Sequence, residues 1–186
     1  RYGVVPGNRT VVFTNNDDAY RTALALHGAG AHVVVVDLRR DLKGELVKAV
    51  RAAGIEVMSG SAVTIAAGTQ RIARVEISPV NEGATQVLDD PIHMDCDLLA
   101  MSGGLTPAVH LHSQARGKLG WDDQQLCFKP TTVHEASFNA GAGNGVFAAD
   151  KAIENGMQAG TAAARAAGFD IADSSPPEVA APAQSW

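Results

Sequence analysis

Residues 9–40 constrain the fold more than any other stretch of the chain. RTVVFT (Arg9 to Thr14) is a short β-branched run, NNDD is a turn, AYRTALALHGAG is a helix ending in glycines, and HVVVVDLRR is a second apolar strand. Both strands are apolar without alternation, so both of their faces are covered. That pattern belongs to a parallel sheet with layers above and below it. A strand, turn, helix and strand at this spacing form a βαβ unit, and the chain is expected to be α/β.

The turn of this unit stands where a dinucleotide-binding fingerprint, G-x-G-x-x-G/A, would lie. Its six positions are Thr14, Asn15, Asn16, Asp17, Asp18 and Ala19, and the second strand ends in Asp37, where a ribose-binding acid belongs. The register is kept but the glycines are missing. A Cβ at Thr14 and at Asn16 obstructs the tight turn and the approach of a pyrophosphate. Asp17 and Asp18 place two carboxylates at a helix N-terminus, where free N–H groups and the helix dipole would otherwise hold phosphate. The turn is therefore expected to cap its own helix, through Asn16 or Asp17, and not to cradle a coenzyme. If it did bind one, Asp37 would take the ribose. Arg39 and Arg40 could meet a 2′-phosphate, but Asp37 would repel it, so NAD ranks above NADP.

Further along, Leu42, Leu46, Val47 and Val50 recur at helical spacing between Asp41 and Ala53, Gly54 closes that helix, and Ile55 to Met58 is a third strand. The period then changes. SAVTIAAGTQ, RIARVEISPV and QVLDDPIHMD read as an antiparallel meander, with Ile72, Val75 and Ile77 alternating. An apolar strand from Asp97 to Ser102 follows, with Gly103-Gly104 and Thr106-Pro107 after it. This order, together with the D-x-x-x-x-x-x-G-x-x-P run of Asp97, Gly104 and Pro107, resembles the pyridine-nucleotide domain of the two-dinucleotide flavoprotein reductases. The resemblance implies a Rossmann-like three-layer βαβαβ with a β-meander over residues 1–107.

In those reductases this domain interrupts another dinucleotide domain, to which the chain then returns. Residues 108–172 look like the return: QLCFKP is a short strand, SFNAGAGNG runs from strand into a glycine turn, and Val146 to Gly168 is a long alanine-rich helix. Backbone N–H groups at Gly141-Ala142-Gly143-Asn144-Gly145 can face an anion or a ribityl chain. Related reductases carry a Gly-Asp pair here whose Asp binds the flavin ribityl; Ala142 stands in its place, so FAD is not expected on this chain. Ala149, Ala152, Gly156, Gly160 and Ala164 suit tight helix packing. Residues 173–186, with Pro176, Pro177 and Pro182, read as a flexible linker.

Composition excludes several classes. A net charge of −5 without a basic cluster gives no support for nucleic acid or an anionic membrane surface. No run approaches the roughly 18 apolar residues of a membrane span, and no signal peptide opens the chain. Cys96 and Cys127 have no paired spacing, which suits a reducing cytoplasm, and Cys96 reads as a core residue. His110 and His112, two apart, would share one face of a strand, yet no further ligands lie near, so hydrogen-bonded or surface histidines are expected and no metal. There is no serine elbow, no reductase dithiol and no evident general base, hence no catalytic residue is expected. The missing initiator methionine and the proline-rich end suggest a piece of something longer.

Three strings carry a sharper match: GNRTVVFTNNDDAYRTALALHGAGAHVVVVDLR, DLLAMSGGLTPAVHLHSQARGKLGWD and FNAGAGNGVFAADKAIENG. Together they resemble the α subunit of heterotetrameric sarcosine oxidase over residues 1 to about 172. The resemblance implies oxidative demethylation of sarcosine to glycine, with hydrogen peroxide formed and the one-carbon unit passed to tetrahydrofolate. It places FAD and FMN elsewhere in the complex and gives α a non-redox NAD. By motif, this segment would contribute Gly141, Val146 and Ala148 to a partial NAD site, with Gly143 added by position, and its partners would be the other subunits. Two other readings are an NAD(P)H-dependent flavoprotein reductase domain using Asp37, and an interaction scaffold that binds nothing. Apolar surface is expected on the long helix, and a homodimer when the segment is isolated.

Overall fold

A computed structural model of the chain describes residues 3–172 and 175–177. The linker expected over 173–186 thus lies, but for 175–177, outside the described residues. Two compact units are present, one running to Gly104 and one beginning at Leu105.

The first unit contains β1 (Arg9–Thr14), α1 (Asp18–Gly28), β2 (His32–Asp37), α2 (Glu45–Ala52), β3 (Glu56–Ser59), β4 (Ser61–Gly68), β5 (Ile72–Pro79), β6 (Ile92–Asp95) and β7 (Leu98–Ser102). Its main sheet is parallel, in the order β3-β2-β1-β7, and β4-β5-β6 form an antiparallel meander. The apolar strands are covered on both faces. Val12, Val33 and Val35 pack with Tyr20 and Ala23 of α1 and with Val47 and Val50 of α2. Val11 and Val36 pack with Val75, Ile77 and Cys96 on the meander side. Each enclosed valine contributes about 1.5–3 kcal/mol relative to exposure, which is why these strands need no polar face. The result is the expected Rossmann-like α/β arrangement in three layers.

α2 begins at Glu45, four residues later than its spacing suggests, because Gly44 adopts φ 121°, a conformation no helix residue takes. Leu42 nevertheless packs against the core from the preceding loop. The register sets Thr14 beside Asp37 on one side and beside Ser102 on the other, so three strand ends meet at the carboxyl edge of the sheet.

The second unit contains α3 (His110–Gln114), β8 (Lys118–Asp122), β9 (Cys127–Thr132), a 3-10 turn (Gly141–Asn144) and α4 (Ala149–Ala166). β8 and β9 form an antiparallel hairpin in which Trp121 meets Phe128 edge to face, with ring centroids 5.0 Å apart. Three expectations are corrected. His110 and His112 lie on a helix and not on a strand, so a spacing of two turns them to different sides. SFNA forms no strand; only the extended Ala140 enters the turn. The long helix spans Ala149–Ala166, because Gly145 in the left-handed region and the extended Ala148 stop it from starting at Val146. Both hydrophobic clusters lie in the first unit, and no residue of α4 is buried. Among the described residues, no helix is long and apolar enough to cross a membrane.

Candidate functional site

The turn after β1 closes on itself. The Thr14 hydroxyl accepts the Asn16 N–H at 3.0 Å, and Asn16 Oδ1 accepts the Asp18 N–H at 3.2 Å. Asn16 Nδ2 donates to the carbonyl and hydroxyl of Ser102, both at 3.0 Å, which ties the turn to β7. Asn16 thus closes an Asx turn on the first N–H of α1 from the position before the N-cap, and the side-chain N-cap expected of Asn16 or Asp17 is not formed. Asp17 holds the N-cap position by its backbone but makes no side-chain cap bond. Its carboxylate instead meets Arg39 Nη2 at 2.8 Å, while Asp18 is exposed. The expectation that both carboxylates guard the helix mouth is corrected: one of them is drawn sideways by an arginine.

The same arginine owns Asp37. This carboxylate is fully buried and accepts from Arg39 Nε at 3.1 Å, Arg39 Nη2 at 2.8 Å, the Arg39 N–H at 2.9 Å and the Tyr20 hydroxyl at 2.8 Å. Burial, then the negative charge of Asp37 and the hydrogen bond to it, push the Tyr20 phenol well above its ordinary range. Burial works against the charge on Arg39, but its bonds to Asp37 and Asp17 more than offset this and hold its proton harder than usual. A ribose would have to displace an ion pair to reach Asp37. Arg39 and Arg40 do not wait for a 2′-phosphate either, since Arg40 donates to the Val80 carbonyl.

The glycine turn of the second unit has a different character. Gly141 and Gly145 take φ values of 56° and 75°, which side chains resist. The Val146 N–H closes the turn on the Gly141 carbonyl at 2.9 Å, and a Cβ at Gly145 would fall 2.6 Å from Lys129 Cε. Lys129 is paired with Asp122 at 2.8 Å. Gly141, Gly143 and Val146 are half-buried; Ala148 is exposed just ahead of α4, whose N-terminus has no side-chain cap bond. The four residues singled out from sequence therefore share one loop leading into one helix. Ala142, between two of these glycines, is exposed and carries no side-chain acceptor.

Beside this loop lies a groove of about 230 Å³, walled in part by His112, Asn139, Asn144 and Asn155, of which Asn139 and Asn155 did not stand out in the sequence. The one available signal was the recurrence of asparagine on both sides of the glycines. His112 is buried and hydrogen-bonded, at 3.0 Å to the Lys118 carbonyl and 3.0 Å to Asn139. No cluster of three metal-ligating side chains occurs among the described residues. Cys96 and Cys127 are buried free thiols, and burial, reinforced by the negative charge of Asp97, pushes Cys96 up, away from thiolate chemistry.

No protein-family model matches the chain. Curated relatives are the sarcosine oxidase subunits alpha of Corynebacterium sp. strain P-1 (37% identical, covering 91% of this chain and 17% of the relative) and strain U-96 (35%, covering 98% and 19%). That of Rhizobium meliloti is 34% identical, covering 69% of this chain and 12% of the relative. The chain thus spans less than a fifth of the length of the relatives it matches. Among solved structures, the bacillithiol disulfide reductase Bdr of Staphylococcus aureus superposes with a TM-score of 0.61 at 18% identity, covering 88% of this chain and 51% of that one. Thioredoxin reductase of T. acidophilum gives 0.57 at 14%, covering 87% and 53%. At these identities they speak for the fold alone, and the fold is that of the two-dinucleotide reductases.

Proposed function

We propose that this chain, a sequence relative of sarcosine oxidase α subunits, serves as a nucleotide-domain segment of such a subunit. It contributes part of a non-redox NAD site through Gly141, Gly143, Val146 and Ala148, supports assembly with the other subunits, and supplies no catalytic residue. The whole complex would demethylate sarcosine oxidatively in the cytoplasm, with FAD and FMN held outside this segment and the one-carbon unit passed to tetrahydrofolate.

The observation that carries the reading is the enclosure of Asp37. With both oxygens engaged by Arg39 and Tyr20, the first turn has lost its ribose acceptor, and Asn16 fills the place of the close-approach glycine. This weighs against a reductase domain that uses Asp37. What is left for a dinucleotide is the glycine turn and the N-terminal amides of α4, which face an anion favourably. The fit is partial, since one loop cannot surround a dinucleotide.

Titrating NAD into the chain, alone and joined to the remainder of a full-length subunit, tests this. Micromolar binding is expected only in the joined form, and it should survive Asp37→Ala. Micromolar binding to the chain alone that vanishes with Asp37→Ala would establish the reductase instead, and no binding in either form would leave a scaffold.

A further inference from the structure

We infer that the groove beside α4 is a binding site for a flat ring carrying an uncharged primary carboxamide, gripped by Asn139 and Asn155. Other bonds already commit one amide atom of each of these two side chains. The Lys118 carbonyl can only accept, so the His112 nitrogen facing it at 3.0 Å, Nε2, carries the hydrogen. In the uncharged ring Nδ1 is then the acceptor, and Asn139 must turn its amide nitrogen, 3.0 Å away, toward it. This leaves Asn139 Oδ1 as an acceptor for something else.

Asn155 is fixed by the opposite constraint. The Gly141 N–H can only donate, so Asn155 presents Oδ1 to it at 3.0 Å; the same oxygen takes the amide of Asn144 at 3.4 Å. Its Nδ2 is left as a donor. The two asparagines, each held in one orientation by a partner that admits no other, both line one groove, and their recorded bonds leave an acceptor on Asn139 and a donor on Asn155. A primary carboxamide presents the complementary pair, and a carboxylate does not. No Asp, Glu, Lys or Arg lines the groove, while Pro130, Val133, Phe138 and Ala159 give it an apolar wall for a ring. At about 230 Å³ it is below the range of drug-sized sites and suits a single ring. In the NAD reading above, on which this part rests, the occupant is the nicotinamide end.

The test is a titration of the full 186-residue chain with nicotinamide, following the side-chain amide resonances of Asn139 and Asn155. Saturable shifts are expected, with nicotinate binding about tenfold more weakly or worse, since one hydrogen bond becomes an acceptor facing an acceptor. Asn155→Asp keeps the acceptor for Gly141 but removes the donor, and it should abolish the nicotinamide response while the Gly141 amide stays protected from exchange. Equal binding of nicotinate, an undiminished response in Asn155→Asp, or no response in the parent chain would overturn the inference. NAD bound by the joined form with nicotinamide silent here defeats the groove alone; nicotinamide bound with NAD refused defeats the proposed function alone.

Discussion

Arg39 and Asp37 face each other fork to fork at the end of β2, with Nε on Oδ1 at 3.1 Å and Nη2 on Oδ2 at 2.8 Å, and Nη2 also reaches Asp17 at 2.8 Å. A guanidinium therefore ties the mouth of α1 to the end of the neighbouring strand. Planar pairing of this kind is among the stronger polar contacts available to a protein.

Asp37→Asn should destabilise the chain by about 3 kcal/mol, the low end for breaking a buried pair, because Asp17 still holds Arg39. For a chain of this size that is a melting temperature lower by roughly 6–12 °C. Tyr20→Phe keeps the ring in the core but removes the bond to Asp37, a loss of about 1.5–3 kcal/mol. Thermal melts of the two variants check both values.

Alkaline pH should act through Tyr20. Its folded proton affinity lies above the ordinary 10.0, so the folded chain holds a proton that the unfolded chain releases. The stability this gives is complete below pH 10 and declines as pH rises beyond it. Denaturant midpoints measured across that range should fall, and Tyr20→Phe should flatten the decline.

Gly117→Ala should disturb His112. A Cβ there would lie 2.2 Å from His112 Nε2, inside the space of the ring, so the imidazole must leave the Lys118 carbonyl. Overpacking of this kind costs about 1–3 kcal/mol. The melt should shift by that amount, and the Asn139 side-chain amide should lose its fixed resonance position.

The chain alone should self-associate through its second unit. Leu111 (80% exposed), Leu126, Phe128 and Trp121 are open to solvent there, and α4 buries no residue. Light scattering during gel filtration should give a mass above 19.3 kDa that falls toward it as the chain is diluted. Phe128→Ser should shift the equilibrium toward the monomer.

The first unit was legible in sequence because its signals are redundant. HVVVVD admits only a doubly covered strand, and Val75 and Ile77, two apart with Glu76 between them, alternate as a one-sided strand must. The second unit carries no such redundancy. KLGWD holds a glycine and no β-branched residue, yet it forms β8 by pairing with β9, a tertiary choice that propensity does not reveal. At the candidate site, Asp37 stood out by position, but its capture by Arg39 depended on a side chain folding back two residues at a strand end. Asn139 and Asn155 were invisible because their meaning lies in which of their atoms His112 and Gly141 have already claimed.

β1 lies at the centre of the parallel sheet, yet its partner β7 stands 88 residues further along the chain, where the Thr14 hydroxyl reaches the Ser102 carbonyl. On a ribosome adding roughly 5–20 residues each second, that interval is of the order of ten seconds. Throughout it the nascent β1 has one unpaired edge, and the helices and meander must form around a sheet still short of a strand.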